Sequence, residues 1–340
     1  MRVWISADLK AGPGAAARAA RRAEALGADC FALSDNAHDA TLTAMAAIHA
    51  TSRIDIATMA LVAFARSPMV TAVAAWDLQE ASGGRFRLGL GPLVPQMLIG
   101  KYSVPWTAPA PRMREYIAAV RAIWACWRER TPLDFHGEHY RFTRQSPYNM
   151  PDPIGFADPP IHLGAIGANM TALAGEVADG IMTHVTNTTP RFVREWLRPN
   201  LLRGALRANR NPEAVEVMVC LPLAVGRTPA DISSRFGEWR EMMAILLSTP
   251  NYAPILELMG VPGLGSSLRA AIRENRWSEL PLMLPEELVH ELIASTTYAR
   301  LPDLLADRYK GIAGTVCLHL PAREQDDADL ALAVQRIKEL

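Results

Sequence analysis

Residues 67–91 read SPMVTAVAAWDLQEASGGRFRLGLG, and the order of signals within them decides the fold. Ser67 offers a hydroxyl cap and Pro68 stands at a first helical position, so a helix is predicted over Pro68–Ser82. Gly83 and Gly84 stop it, and Arg85–Leu90 (RFRLGL) follows at once as a short apolar strand. A helix fed through a glycine turn into an apolar strand is half of a βαβ unit.

The same alternation runs outward in both directions. Upstream, strands are predicted at Arg2–Ala7, Asp29–Ser34 and Ile54–Ala60, with helices at Gly14–Gly27 and Thr41–Thr51. Downstream, strands at Pro160–Ala165, Gly180–His184, Val215–Val225 and Gly314–Leu320 alternate with helices at about Arg112–Arg130, Ala168–Ala178, Pro190–Asn209, Pro229–Leu247 and Ala328–Leu340. Pro285–Ala294 and Pro302–Lys310 read as short extra helices. Eight strands, each followed by a helix, predict an α/β fold, a (β/α)8 TIM barrel occupying 1–340 as one domain. Its loop insertions fall at about 92–111, 131–159 and 248–281. An open doubly wound sheet also alternates, but it usually opens with G-x-G-x-x-G after the first strand, where this chain has Asp8-Leu9-Lys10.

Composition excludes several function classes. Thirty-five Lys+Arg balance 35 Asp+Glu, 50% of residues are apolar and 21% charged, so the chain is globular and has no net field for phosphate backbones or anionic lipid. A small-molecule partner is expected, with neither nucleic acid nor membrane. Cys30, Cys126, Cys220 and Cys317 are spread singly, as buried thiols of a reducing compartment are, and no window has the length of a spanning helix. The expected location is cytoplasmic.

In a barrel of this kind, chemistry sits just after each strand. After the second strand, Ser34-Asp35-Asn36-Ala37-His38-Asp39 places a carboxylate and a histidine where they can exchange protons, so Asp35 and His38 are the candidate catalytic pair. Asp39 reads as a helix cap. After the third, an apolar run from Thr58 through Met59, Ala60 and Leu61 to Val62 continues too far for a tight turn and suggests a bulge or an irregular buried loop offering its backbone to a ligand, although a plain hydrophobic connection is the commoner meaning of such a run. Gly164-Ala165-Ile166-Gly167-Ala168-Asn169 joins the fifth strand to a helix start, where backbone amides can hold an anion, although a plain structural turn fits the spacing equally. His184 ends the sixth strand; His162 and His319 read as interior. His136-x-x-His139 reads as a hairpin around Gly137-Glu138 rather than as metal ligands, and no metal is expected.

Taken together, Arg66-Ser67-Pro68, the Asp77–Gly91 block (DLQEASGGRFRLGLG), Arg112-Met113-Arg114-Glu115 and Leu173–Gly180 (LAGEVADG) resemble the luciferase-like monooxygenase superfamily, in its coenzyme F420-dependent oxidoreductase branch of actinobacterial type. The resemblance implies a (β/α)8 barrel, usually homodimeric, with a flavin or deazaflavin across the mouth. It places the ring against the bulge in the Thr58–Val62 run, at Met59, Ala60 and Leu61, often with a non-prolyl cis peptide, and the phosphate at Ile166, Gly167, Ala168 and Asn169. Gly91, Gln96, Gly164 and His184 complete the cofactor-binding set it suggests, with Asp35 and His38 in the positions of its acidic residue and histidine after the second strand. One departure stands out: after Gly91, where the family commonly has Thr or Ser, this chain has Pro92 and Leu93.

The function so implied is hydride transfer between coenzyme F420 and a small, apolar or aromatic organic substrate, with Asp35 or His38 handling a proton. The alternatives are an FMN-dependent two-component monooxygenase and, because of Pro92 and Leu93, a non-catalytic flavin- or metabolite-binding relative. The Trp106 loop and the Met259–Trp277 stretch are the expected lids.

Overall fold

The computed structural model describes residues 1–340. Eight parallel strands close on themselves: β1 (Arg2–Ser6), β2 (Cys30–Leu33), β3 (Asp55–Thr58), β4 (Phe86–Gly91), β5 (Ile161–Gly164), β6 (Gly180–Met182), β7 (Glu216–Cys220) and β8 (Thr315–His319). Every neighbouring pair is in parallel register, and β8 closes the ring by pairing Val316 with Val3. The (β/α)8 TIM barrel expected from the alternation is therefore the fold. No helix is long and apolar enough to cross a membrane.

The helices form where their end signals stand. Ser67 accepts from the Met69 amide to open α3 (Pro68–Ala81), which ends before Gly83 and Gly84, both at positive φ. Asp39 caps α2 (Ala40–Ala50) by accepting from the Thr41 and Leu42 amides. The sequence alternation sorts strand residues between two cores. Val3, Ile5 and their equivalents pack outward in a cluster of 84 buried residues between strands and helices. Trp4, Cys30, Met182, Met218, Cys220 and Cys317 fill the barrel interior, a sulfur-rich plug beneath Met59. All four cysteines are buried and unbridged.

The floor of the barrel is ionic. Arg2 and Arg87 both reach Asp55 (3.0 and 2.7 Å), His162 Nε2 lies 3.0 Å from Glu216 Oε2, and the Thr315 hydroxyl donates to the same carboxylate. Burial alone would push the Glu216 carboxyl up; the hydrogen bonds from His162 and Thr315 and the charges of His162 and Arg2 outweigh it and hold it at about 2. Because this folded-state value lies below the ordinary carboxylate value, the stabilisation is fully present above about pH 4.5 and is lost as pH falls through about 2. Glu216→Gln is accordingly expected to cost roughly 3 kcal/mol at pH 7 and little near pH 2. Urea midpoints measured against pH check this; a constant difference down to pH 2 would refute it.

Four local expectations need correction. The strand read at Val215–Val225 is interrupted at Leu221-Pro222: β7 stays in the barrel, while Leu223–Gly226 leaves it to pair in parallel with Ala294–Thr297, where no strand is predicted. The single helix read over Pro190–Asn209 contains a π turn at Val193–Leu197 before α6 (Arg198–Arg207), because Pro199 has no amide to continue an α ladder. The Pro-rich 92–111 insertion contains a helix, Pro95–Tyr102, in which Pro95 occupies a first-turn position where no amide is needed. His319 is not interior: it ends β8 exposed, with Nδ1 2.7 Å from Ser6 Oγ. The hairpin around Gly137-Glu138 forms as read, pairing Phe135 with Phe142.

Candidate active site

A cavity of about 670 Å3 opens at the carboxyl ends of the strands. Its floor is the segment between β3 and the short strand Leu61–Val62, where the Met59–Ala60 peptide is cis. Thr58 anchors this ledge by bridging Gly89 through one hydroxyl, which donates to the Gly89 carbonyl at 2.8 Å and accepts its amide at 2.9 Å. Beneath Met59, the thiols of Cys220 and Cys317 lie 3.7 and 3.9 Å from its sulfur.

One wall comes from the Gly91–Val94 loop, where Leu93 adopts φ 65°, a left-handed conformation costly for a residue with a side chain. Pro92 and Leu93, the departure from the family pattern, line the cavity together with Trp106 and Pro109, so this side is apolar. The adjoining wall, after the neighbouring strand β5, is Gly164, Ile166, Gly167, Ala168 and Asn169, the start of α5 (Ala168–Val177). No side chain caps this helix, which leaves its first-turn amides to the cavity, and Trp196 on the π turn holds the loop by donating to the Ile166 carbonyl at 3.3 Å.

Two polar groups of different standing complete the site. Asp35 is engaged on both oxygens: it accepts from the Ala40 and Val62 amides (3.3 and 3.1 Å) and pairs with Arg66 at 3.2 Å. Its geometry is that of an anchor fixing the loop after β2 to the end of the ledge. His184 stacks on Tyr252, ring centroids 4.7 Å apart and planes 9° apart, with Tyr252 Oη 3.3 Å from Nε2. Burial lowers the imidazole to about 4 and raises the phenol to about 12, so both are neutral near pH 7.

On its other side His184 meets Thr186: the Thr186 amide donates to Nδ1 at 3.4 Å, and the Thr186 hydroxyl lies 2.9 Å from Nδ1 while donating to the Asn187 amide oxygen at 2.6 Å. Asn187 Nδ2 is buried without a partner. Because the imidazole and phenol planes lie 9° apart, the ring N–H, which lies in the imidazole plane, does not point at the phenol, and the 3.3 Å contact between Nε2 and Oη runs across the stacked faces. The phenolic hydrogen is left to a ligand in the cavity.

Of the residues singled out from sequence, Asp35, Met59, Ala60, Gly91, Gly164, Ile166, Gly167, Ala168 and His184 share this cavity. Three do not line it. His38 is exposed, its ring over Gly12 at the start of the first helix. Leu61 points into the core between helices and strands, one residue past the ledge. Gln96 lies in the first turn of the Pro95–Tyr102 helix and lines an adjoining cleft. Tyr252 was not legible: it enters from the 248–281 insertion, which reads as loop, and only Asn251 and Tyr252 of that insertion reach the cavity, not the Met259–Trp277 stretch.

A closed eight-stranded parallel barrel with a ligand-sized cavity over its strand ends defines the class as an α/β barrel with its candidate site at the mouth. The match to the luciferase-like monooxygenase family extends over residues 2–315, and the chain belongs to that family, whose members are oxidoreductases and monooxygenases. It is similar to an uncharacterized protein of Mycobacterium tuberculosis, 34% identical over 323 residues that cover 94% of this chain and 95% of the other. A second protein of that organism, provisionally named a coenzyme F420-dependent oxidoreductase, is 31% identical over 260 residues, 72% of each chain. In fold the chain is similar to the coenzyme F420-dependent tetrahydromethanopterin reductase of Methanopyrus kandleri, with TM-score 0.81, 19% identity, and 99% and 98% of the two chains covered. It also shares the fold of the FMN-bound oxygenating constituent of 3,6-diketocamphane monooxygenase from Pseudomonas putida, with TM-score 0.68, 17% identity, and 99% and 96% covered.

Proposed function

We propose that this protein is a coenzyme F420-dependent oxidoreductase acting on a small, apolar or aromatic substrate. The observation that carries the reading is that the Met59–Ala60 ledge and the uncapped amides at the start of α5 line one cavity. A flat ring fits against the ledge and the apolar Pro92–Val94 wall, and an anionic phosphate fits the Gly167–Asn169 amides. The name of the 31% identical relative supports the same cofactor. Bound there, the deazaflavin would supply or accept a hydride. The rest is the work of this chain: Asp35 and Arg66 hold the ledge, Trp106 and Leu93 exclude water, and Tyr252, oriented by His184, presents a hydroxyl proton to the substrate. We further infer a cytoplasmic homodimer, in keeping with the exposed apolar residues Leu42, Val70 and Val73 on α2 and α3.

Incubation of the protein and reduced F420 with a panel of small ketones and enones, without oxygen, tests the reading by the return of oxidised deazaflavin absorbance. Turnover supports it. A requirement for reduced FMN and oxygen, giving a hydroxylated product, would replace it with the monooxygenase reading, and cofactor binding without turnover of any substrate would leave a binding protein. With a turned-over substrate in hand, Tyr252→Phe should lower kcat by about 100-fold with an unchanged F420 dissociation constant. The wild-type rate should stay level from pH 8 to pH 5, because His184 titrates only at about 4. A break near pH 6.5 would show an ordinary histidine at work and contradict the assignment.

A further inference from the structure

A second cleft, of about 380 Å3, adjoins the main cavity. The two share Val94, and Thr249-Pro250 of the cleft run directly into Asn251-Tyr252 of the cavity. Its chemistry differs from its neighbour's. The main cavity is lined by no lysine or arginine, and its one carboxylate, Asp35, is already paired with Arg66. The cleft is lined by Arg269 and Arg273 and by no acidic residue.

These arginines lie four residues apart on one face of the Leu264–Arg273 helix, a like-charge spacing that costs stability unless an anion lies between or before them. No carboxylate of the chain compensates them: Glu274, next in sequence, pairs with Arg276 at 2.8 Å. Arg269 is oriented by one bond, donating from Nη1 to the Ser248 carbonyl at 2.6 Å, which leaves its other nitrogens for a ligand. Gln96, from the Pro95–Tyr102 helix, adds an amide on the facing side.

We propose that the Arg269–Arg273 cleft is an anion subsite continuous with the main cavity, taking a carboxylate or phosphate carried by a ligand that reaches across Val94. The group belongs either to the carboxylates of the cofactor's acidic chain, whose phosphate is placed at the α5 amides, or to an acidic substituent on the otherwise apolar or aromatic substrate beside it. The inference rests on the reading that the main cavity holds such a ligand, and it gives the insertion at 248–281 a binding role.

The test uses the full chain, wild type and the Arg273→Gln and Arg269→Gln/Arg273→Gln variants, with thermal unfolding as a folding control. Coenzyme F420 and its riboside fragment, which has neither phosphate nor carboxylates, are titrated by fluorescence at two salt concentrations; inorganic phosphate is titrated by calorimetry. If the cofactor supplies the anion, the double variant binds F420 at least tenfold more weakly, with a reduced salt dependence, while the fragment binds all proteins alike. If the substrate supplies it, F420 affinity is unchanged, and the F420-loaded wild type binds phosphate in a way that Arg273→Gln abolishes and Arg273→Lys restores. Phosphate binding that depends on Arg273 in a protein that never binds F420 would sustain the subsite while refuting the cofactor. Equal binding of F420 and of phosphate by wild type and the folded variants would overturn the subsite.

Discussion

Gly89→Ala is expected to destabilise the protein by roughly 3 kcal/mol or more and to abolish cofactor binding in whatever folds. A Cβ at Gly89 would stand 1.9 Å from the Thr58 carbonyl oxygen and 2.9 Å from the end of Met182. The first neighbour is backbone and cannot turn aside, so β3 and β4 would have to part at the point where Thr58 bridges Gly89 and the ledge begins. Gly167→Ala is the contrasting variant, since a Cβ there meets nothing within 4 Å, and its stability should lie within about 0.5 kcal/mol of wild type. Urea midpoints of the two proteins settle the comparison; a Gly89→Ala protein as stable as Gly167→Ala would mean that the strands do not meet as described.

Asp35→Ala should cost roughly 3 kcal/mol and most of the cofactor affinity, because removal of a buried carboxylate takes a partner from the Ala40 amide, the Val62 amide and Arg66 at once. The side chain is 6% exposed; without it the Val62 amide loses its acceptor and Arg66 retains only Asp39. Asp35→Asn keeps one acceptor and should fall between. This separates an anchor from a proton carrier. An anchor shows its loss in the unfolding midpoint and in the F420 dissociation constant, whereas a carrier would show Asp35→Asn with normal stability, normal affinity and turnover reduced by orders of magnitude.

The fold was legible because the signals that build a barrel are local. The Ser67 cap, Pro68 and the Gly83-Gly84 stop lie within one αβ unit, and each acts through a neighbour a few residues away. The over-long Thr58–Val62 run marked the ledge for the same reason. Features set by distant contacts were not legible. The turn into β7's successor depends on pairing Leu223–Gly226 with Ala294–Thr297, some 70 residues away in the chain, and nothing in ASTT by itself prefers a strand there. Tyr252 belongs to the site only because the 248–281 insertion folds back over His184, and His38 stands outside it because its ring packs over Gly12. Proximity in sequence to a strand end gave the correct neighbourhood for both histidines, and only the three-dimensional turn distinguishes the one in the cavity from the one over Gly12.

Whether the cavity above Met59 and Ala60 holds a deazaflavin is decided by titrating purified protein with coenzyme F420 and, separately, with FMN, following ligand fluorescence. F420 is expected to bind saturably at one per chain, tighter than FMN, and its binding to be lost in Asp35→Ala. Tighter binding of FMN, or binding of neither, would contradict it.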